Sequence, residues 1–424
     1  MMKGMDVPDA IQLMGDKQWQ EIKSRLTGKF NKMMKGLFRQ KGAQLDINIL
    51  ASDEAQDFIT THAGILDGGF QKVEMSDKMR ERLTRSNYIF SGIKTFHELN
   101  EAFPSMLDEN GNKKPFERFL NDVRKINDTY NANYLHAEYN FVQASATMAA
   151  KWEQFSEDGD RYYLQYRTAK DDKVRPEHAA LDGVTLPMSD SFWETYYPPN
   201  GWNCRCTVVQ VRKQKYPATE HAEAMSRGEE AMNGERYNIF RFNSGKQGKT
   251  MPDYNPYTIK RCNDCDVAKG GNTKLGFVPD YQLCQGCIMI RKCNEDRNRD
   301  NSAKATKKSP EVKKLQGTTI SNPDFNHEVL VTGGSIREWT NQPHKEYAAK
   351  NSILKHIAKV FREAKYIGFI DNFKMKPGVK QSHLFETNVL GELSWIIVRE
   401  YEIGEFVLHS ISDSDKIKTG IRKE

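Results

Sequence analysis

The sequence predicts a multidomain α+β protein, and three observations along its 424 residues support that class. Apolar residues recur at helical spacing in the first third, two pairs of cysteines follow, and the last hundred residues combine one helical segment with strand-like runs. We expect five divisions: a helical region 1–160, a compact loop-rich region 161–257, a cysteine module 258–293, a basic flexible linker 294–321 and an α+β domain 322–424 with a helix and an antiparallel sheet.

The helical prediction for the first region depends mainly on one apolar stripe. Steps of three, four and seven residues place its members on one face of a single helix, and they run from Val123 through Tyr130 and Phe141 to Phe155. A stripe of aromatic side chains at this spacing is typical of a core. It requires no ligand, so we interpret it as packing.

Charge and cysteine content limit the class of protein. Of a formal net charge of +6, nine Lys/Arg against four Asp/Glu lie between Arg291 and Lys314, so the rest of the chain is close to neutral. There is no apolar run long enough for a membrane span and no export-type apolar segment at the start, so we expect a soluble, unexported protein without a membrane partner. Seven cysteines in such a chain indicate metal ligands or free thiols rather than disulfides.

The region 161–257 contains the motif "VRPEHAALDG", followed by a corner, residues 198–206, with the sequence "PPNGWNCRC". Two interpretations of it remain open. His178, Cys204 and Cys206 with a nearby aspartate have the ligand chemistry of zinc. Alternatively, Arg and Asp side chains hydrogen-bond across a non-periodic loop and Trp202 fills its apolar centre.

These residues resemble the minor head protein family of tailed phages typified by phage Mu protein F. The resemblance covers about 46–211 and is carried by a set of eight motif residues: Asp172, Arg175, His178, Asp182, Trp193, Trp202, Cys204 and Cys206. It implies a low-copy virion component needed for head morphogenesis, located at the portal vertex and, during assembly, in the host cytoplasm. Its partners would be the portal and head proteins. No enzymatic role is implied for the motif.

The cysteine module has the pattern C-x2-C-x18-C-x2-C, formed by Cys262, Cys265, Cys284 and Cys287. Each pair can aim two sulfurs at one point, and four thiolates complete a tetrahedron, so the spacing predicts one structural Zn²⁺. Cys293 is a fifth thiol that could replace one ligand. Because protein fills all four positions, we expect this zinc to stabilise a fold and not to catalyse.

The last domain has a Lys-rich helical segment at 344–366, introduced by a turn that Ser335 and Glu338 can cap, and strand-like runs in "KYIGFID", "LSWIIVREYEIG" and "EFVLHSIS". It resembles the nuclease fold of barnase, EndoU, colicins and RelE toxins. That resemblance implies RNA cleavage without a metal, RNA or DNA as ligands, and an immunity protein as partner.

Metal-independent cleavage needs a general acid, a general base and a cation beside the phosphate. The candidate catalytic residues are His409, Arg399, His383, Ser410 and His344. Strict alternation in "FVLHSI" would place His409 and Ser410 on opposite faces, so only one of them could face a given site.

Three function classes therefore remain open. The chain is a structural head protein, a head protein that carries an RNase toxin-like domain, or a zinc-dependent module whose basic linker binds nucleic acid. The motif of the loop-rich region favours the first class, and a C-terminal domain that binds nucleic acid without catalysis is the alternative to the toxin.

Overall fold

The computed structural model describes residues 16–42, 44–252, 255–257, 285–372 and 376–422. The chain divides into two compact units, Met1–Asn294 and Glu295–Glu424, and each unit has its own hydrophobic core. Helices dominate the first unit and a large sheet the second, in agreement with the predicted α+β class. None of the described helices combines the length and the apolar character that a membrane crossing requires.

Five long helices build the first unit. Ser52 and Ser76 begin two of them, where each Oγ accepts a hydrogen bond from a backbone N–H three residues on. The helices are α1 Asp16–Phe38, α2 Asp53–Gly68, α3 Asp77–Ala102, α4 Phe116–Asn127 and α5 Leu135–Asp158.

The predicted apolar stripe lies on α4 and α5, and most of its members are buried. The stripe does not follow one regular helix, because a π-helical segment, Asp128–Tyr134, joins the two. The main-chain carbonyl of Tyr130 in that segment accepts a hydrogen bond of 2.7 Å from Lys94 Nζ. A lysine of α3 thus satisfies a main-chain carbonyl of the irregular segment. Tyr134, at the end of that segment, is the member of the stripe that is half-exposed.

Lys94 is also the centre of a buried polar cluster. Its ammonium group donates to Glu138 at 2.7 Å and lies 3.1 Å from His62 Nε2. Burial alone would raise the pKa of Glu138, but Lys94 and His62 outweigh it and lower that pKa to about 2. Burial also lowers the pKa of His62 to about 4 and raises that of Glu98 to about 8.

The loop-rich region follows α5 and contains a three-stranded antiparallel sheet. Its strands are β1 Tyr163–Arg167, β2 Thr185–Pro187 and β3 Thr207–Val211, in the order β2-β1-β3. Four short helices lie between and after them: α6 Pro176–Ala179, α7 Phe192–Thr195, α8 His221–Ala231 and α9 Ser244–Gln247. The last packs so closely on α5 that a Cβ at Gly245 would lie 2.1 Å from Trp152.

The stretch 294–321, predicted as a flexible linker, is largely helical, and this part of the prediction was wrong. Helix α10 covers Gln285–Lys308, and Pro310 begins α11, Pro310–Lys314. Lysine, arginine and alanine all favour helix, so a charged composition does not distinguish a solvated helix from a coil. The boundary between the two units nevertheless falls at Asn294, the first residue of the expected linker.

The second unit is built on a six-stranded sheet in the order β4-β5-β9-β8-β7-β6. Its strands are β4 Thr318–Asn322, β5 Phe325–Val331, β6 Lys365–Asp371, β7 Val379–Val389, β8 Glu392–Tyr401 and β9 Phe406–Ser412. Strands β6, β8 and β9 match the three predicted runs. The sheet is antiparallel as predicted in four of its five pairings, and β5 pairs with β9 in parallel.

The second unit also contains three helices: α12 Gly333–Asn341, α13 Tyr347–Ile353 and α14 Ile357–Glu363. Helices α12 and α14 pack on the sheet. Thr332, not Ser335, is the N-cap of α12, and the two side chains form a reciprocal capping box. The predicted helix over 344–366 is shorter and is divided by a 3₁₀ turn, Leu354–His356.

Candidate functional site

The corner is held against the loop between β1 and β2 by charged and polar side chains. Asp171 accepts two hydrogen bonds from the Arg205 guanidinium, at 2.5 and 2.7 Å, and Arg175 donates to the carbonyl of Trp202 at 2.6 Å. Asp182 accepts from the backbone N–H of Thr168 at 2.8 Å. These bonds join three separate turns of the chain, as expected for the hydrogen-bonded interpretation.

The remaining motif residues divide between the core and the surface. Trp193 is completely buried and donates from Nε1 to the carbonyl of Pro187 at 3.0 Å. Trp202 is partly buried and packs edge-on against Phe141. Asp172 is exposed, and it contributes negative charge near Arg205.

Beneath these bonds lies the His178–Cys204–Cys206 cluster. His178 comes from α6 and is 2% exposed, whereas both cysteines come from the corner just before β3. His178 Nδ1 lies 3.6 Å from Cys204 Sγ and 3.6 Å from Cys206 Sγ. Among the described residues, Nε2 of the same ring is buried without a hydrogen-bond partner.

The two thiols affect each other's ionisation. Hydrogen bonds from Cys206 and His178 hold the pKa of Cys204 well below its usual range, while the neighbouring sulfur and burial raise the pKa of Cys206. Burial also raises the pKa of Tyr166, whose hydroxyl donates to Asn200 Oδ1 at 2.8 Å. The cluster borders a cleft of about 480 Å³, which His136 and Arg175 also line.

The proposed zinc cysteines can be only partly located. Cys262, Cys265 and Cys284 lie outside the described residues, whereas Cys287 is buried in the first turns of α10, within the core of the first unit. A buried cysteine is compatible with the role of a structural zinc ligand. The four-cysteine site stays a prediction.

In the second unit, His383 is the predicted residue with the most elaborate surroundings. It is 2% exposed, its Nδ1 lies 2.9 Å from the Tyr366 hydroxyl and its Nε2 lies 3.0 Å from Glu400 Oε2. Lys380 and Gln381 also donate to Glu400, each at 2.7 Å. The rings of Phe325 and Phe406 flank the imidazole.

The strand carrying His409 does not alternate as predicted, because the pairing of β8 with β9 contains a bulge. Val398 pairs with Leu408 and Ile397 with Ser410, which leaves His409 as the extra residue. One extra residue reverses the side on which all later side chains lie, so Leu408 and Ile411 share the core face. Burial and the positive charge of Arg399 lower the pKa of His409 to about 4.

The structure does not bring the five catalytic candidates into one site. Arg399 pairs with Ser382 while His383 pairs with Val398, so Arg399 and His383 lie on opposite faces of the sheet. Ser410 is buried. His344 bonds Ser394, four residues before Val398 on β8 and therefore about 13 Å along the strand from the His383 pairing.

Sequence reasoning missed several polar residues at these places. Glu400 and Tyr366 adjoin His383, and Tyr166 bonds Asn200 of the corner, yet Glu400 and the two tyrosines have no diagnostic spacing in the sequence. Lys94, Glu98 and Glu138 were also missed. None of the three belongs to the predicted apolar stripe, and only tertiary packing places their charges together in the core.

Comparison with known proteins finds similarity for two parts of the chain. Residues 110–209, which include α5 and the corner, match the model of the family described as Phage Mu protein F like protein. The resemblance seen in the sequence is confirmed for that segment. Residues 298–408 match the model described as Large polyvalent protein-associated domain 3, which leaves the nuclease hypothesis a prediction.

Two curated proteins resemble the chain. One, from Escherichia phage Mu, carries the name capsid assembly protein F and is 38% identical over 177 residues, 40% of this chain and 38% of that protein. The other, the Mu-like prophage FluMu F protein of Haemophilus influenzae, is 34% identical over 102 residues, 24% of this chain and 22% of that protein. The chain thus spans well under half the length of both relatives. No solved structure matches it.

Proposed function

We propose that the chain is a minor capsid protein of a tailed phage or prophage that acts in head morphogenesis. The observation that carries this proposal is the similarity to the phage Mu protein, at 38% identity over 177 residues. The hydrogen-bonded corner supports it, because a rigid element fixed by Asp171–Arg205 and Arg175–Trp202 suits a docking surface. The portal vertex is the location we propose, with portal and head proteins as partners.

The test is the presence of the chain in particles of the phage or prophage that encodes it. Mass spectrometry of purified heads should detect the chain at low copy number, and a strain lacking it, complemented with the unsubstituted protein, should regain infectious particles. An Arg205→Ala variant should complement poorly. An Arg362→Ala variant, a surface change in the second unit, should complement normally. Heads that form normally and contain no trace of the chain would refute the proposal.

A second function, RNA cleavage by the second unit, is favoured by the environment of His383. An imidazole held between a carboxylate and a phenol, with Lys380 close by, has the groups that a general acid–base pair requires. The alternative is a unit that binds nucleic acid without cleaving it. An RNase would make RNA a substrate and an immunity protein a partner.

Expression of the full chain in bacteria distinguishes these alternatives. A nuclease should slow growth and degrade cellular RNA, and His383→Ala or Glu400→Gln should lower the cleavage rate by a factor of about 100 or more. His356→Ala is the matched control, since that histidine is exposed in the same unit. Intact RNA and normal growth with a folded chain would leave the non-catalytic alternative.

A further inference from the structure

We propose that His178, Cys204 and Cys206 bind a zinc ion whose fourth coordination position faces the cleft beside the corner. Among the described residues these three form the only group of His, Cys, Asp or Glu side chains that could hold a metal, and their ligand atoms all lie within 4.8 Å of one another. The inference concerns the first unit alone and does not depend on the head-assembly role.

The distances fit tetrahedral zinc. With zinc–sulfur bonds of about 2.3 Å and zinc–nitrogen bonds of about 2.0–2.1 Å, the nitrogen and each sulfur of a tetrahedral site lie about 3.6 Å apart. Both separations between His178 Nδ1 and the sulfurs have this value. Both nitrogen–sulfur edges therefore already have the length expected at a tetrahedral zinc site, although His178 and the two cysteines come from separate parts of the chain.

Hydrogen bonding alone accounts less well for this arrangement. An imidazole nitrogen carries either one proton or one lone pair in the ring plane, so it makes one well-directed hydrogen bond. His178 Nδ1 is equally distant from two sulfurs. A metal ion between the three atoms would use the nitrogen and both sulfurs at once.

The surroundings suit a cation bound by two thiolates. The backbone N–H of Asn200 donates to Cys204 and orients that sulfur, and the Tyr166 hydroxyl, whose proton goes to Asn200 Oδ1, contacts Cys206. Two thiolates and an imidazole are soft ligands and select zinc over magnesium or calcium. Two thiolates also balance the double positive charge of the ion in this buried place.

The fourth coordination position of the ion would open into the cleft beside the corner. All three ligand residues line the cavity of about 480 Å³, and no fourth His, Cys, Asp or Glu of the described chain joins the group. A site with three protein ligands and one open position binds a water or a ligand from another molecule. Here the ion would tie α6 to the start of β3, which explains why two cysteines flank Arg205 so closely.

Zinc content of the purified chain tests the proposal, provided that the predicted four-cysteine site is removed. The full chain with Cys262→Ser and Cys265→Ser should retain one zinc per molecule. Adding His178→Gln or Cys206→Ser should remove it, whereas the matched control His221→Gln, an exposed histidine in the same unit, should not. With cobalt in place of zinc, the first protein should show a thiolate-to-cobalt charge-transfer band that the ligand variants lack.

If the chain with Cys262→Ser and Cys265→Ser does not fold, zinc content can be measured instead on a chain in which these two cysteines are kept. There, His178→Gln alone should lower the zinc content by one ion per molecule, with far-UV circular dichroism unchanged. Zinc content unaffected by His178→Gln, or Cys204 and Cys206 recovered as a disulfide from the native protein, would overturn the proposal.

Discussion

Lys94 is the side chain on which the buried polar cluster of the first unit depends. Replacing it with methionine leaves Glu138 in the core without its cation. Unpairing a buried charge costs about 3–5 kcal/mol, so Lys94→Met should lower the free energy of unfolding of this unit by that amount. Chemical denaturation of the full chain, followed by tryptophan fluorescence, measures the change.

An exposed ion pair provides the control. Lys29 pairs with Asp57 near the surface, and Lys29→Ala should cost about 1 kcal/mol or less. The double change Lys94→Met with Glu138→Gln should restore part of the lost stability. If Lys94→Met costs no more than Lys29→Ala, the buried pairing does not stabilise the fold.

Glu98 should make the first unit less stable as pH rises. Burial raises its pKa in the folded state to about 8 from an ordinary value of 4.5, so the folded state holds a proton that the unfolded state releases. Between these two pH values stability should fall by about 1.4 kcal/mol per pH unit from this group. Glu98→Gln should remove that decline, as unfolding measured at pH 5, 7 and 8.5 would show.

At acidic pH the stability of the first unit should change in the opposite direction and fall as pH falls. The pKa of His62 is lowered to about 4 and that of Glu138 to about 2, so the unfolded state binds more protons as pH falls. Their contributions are lost through pH 6.5 to 4 and pH 4.5 to 2, respectively. Below pH 4.5 Glu98 is protonated in both the folded and the unfolded state, so Glu98→Gln should leave that part of the acid limb unchanged. A Glu98→Gln variant that also flattens the profile below pH 4.5 would contradict the assignment.

Among the elements, helix α10 is the one whose secondary structure can be tested most directly, because the sequence predicts a flexible linker where the structure has a helix. Proline inside a helix costs about 3 kcal/mol, whereas a coil accepts it at little cost. Ala305→Pro, at an exposed position of α10, should therefore reduce helical circular dichroism and speed tryptic cleavage nearby. Ala305→Ser is the control. Equal rates of tryptic cleavage in the two variants would show that this stretch is a flexible linker and not a helix.

At this scale, what the sequence could predict depended on periodicity. The helices α4 and α5 and the strands β6, β8 and β9 follow their apolar spacing. The π-helical segment at 128–134 and the bulge at His409 do not, because each inserts residues that change the phase without changing composition. The parallel pairing of β5 with β9 is non-local, and no local pattern encodes it.

For the whole molecule, two separate cores predict two separate unfolding transitions. Phe58 is buried in the first core and Phe361 in the second. Phenylalanine to alanine in a core costs about 3–5 kcal/mol. Phe58→Ala should shift only one calorimetric transition and Phe361→Ala only the other. A single transition that moves with both substitutions would contradict independent units.

The motif residues of the corner were predictable because the chemistry of the chain is concentrated there. Arg175, His178 and the two cysteines lie within forty residues, so a sequence alone can associate them. The aspartate that binds Arg205 is Asp171, however, and the motif set names its neighbour Asp172. The catalytic candidates were chosen by residue type without a fixed spacing. The sheet accordingly separates Arg399, His383 and His344.

The division at Asn294 has a consequence for how such chains diversify. The buried residues of each core come from one side of that boundary. A recombination event near it would replace everything downstream and leave the core of the first unit intact. Genes for such chains could therefore exchange the segment that encodes the second unit without a compensating change in the first.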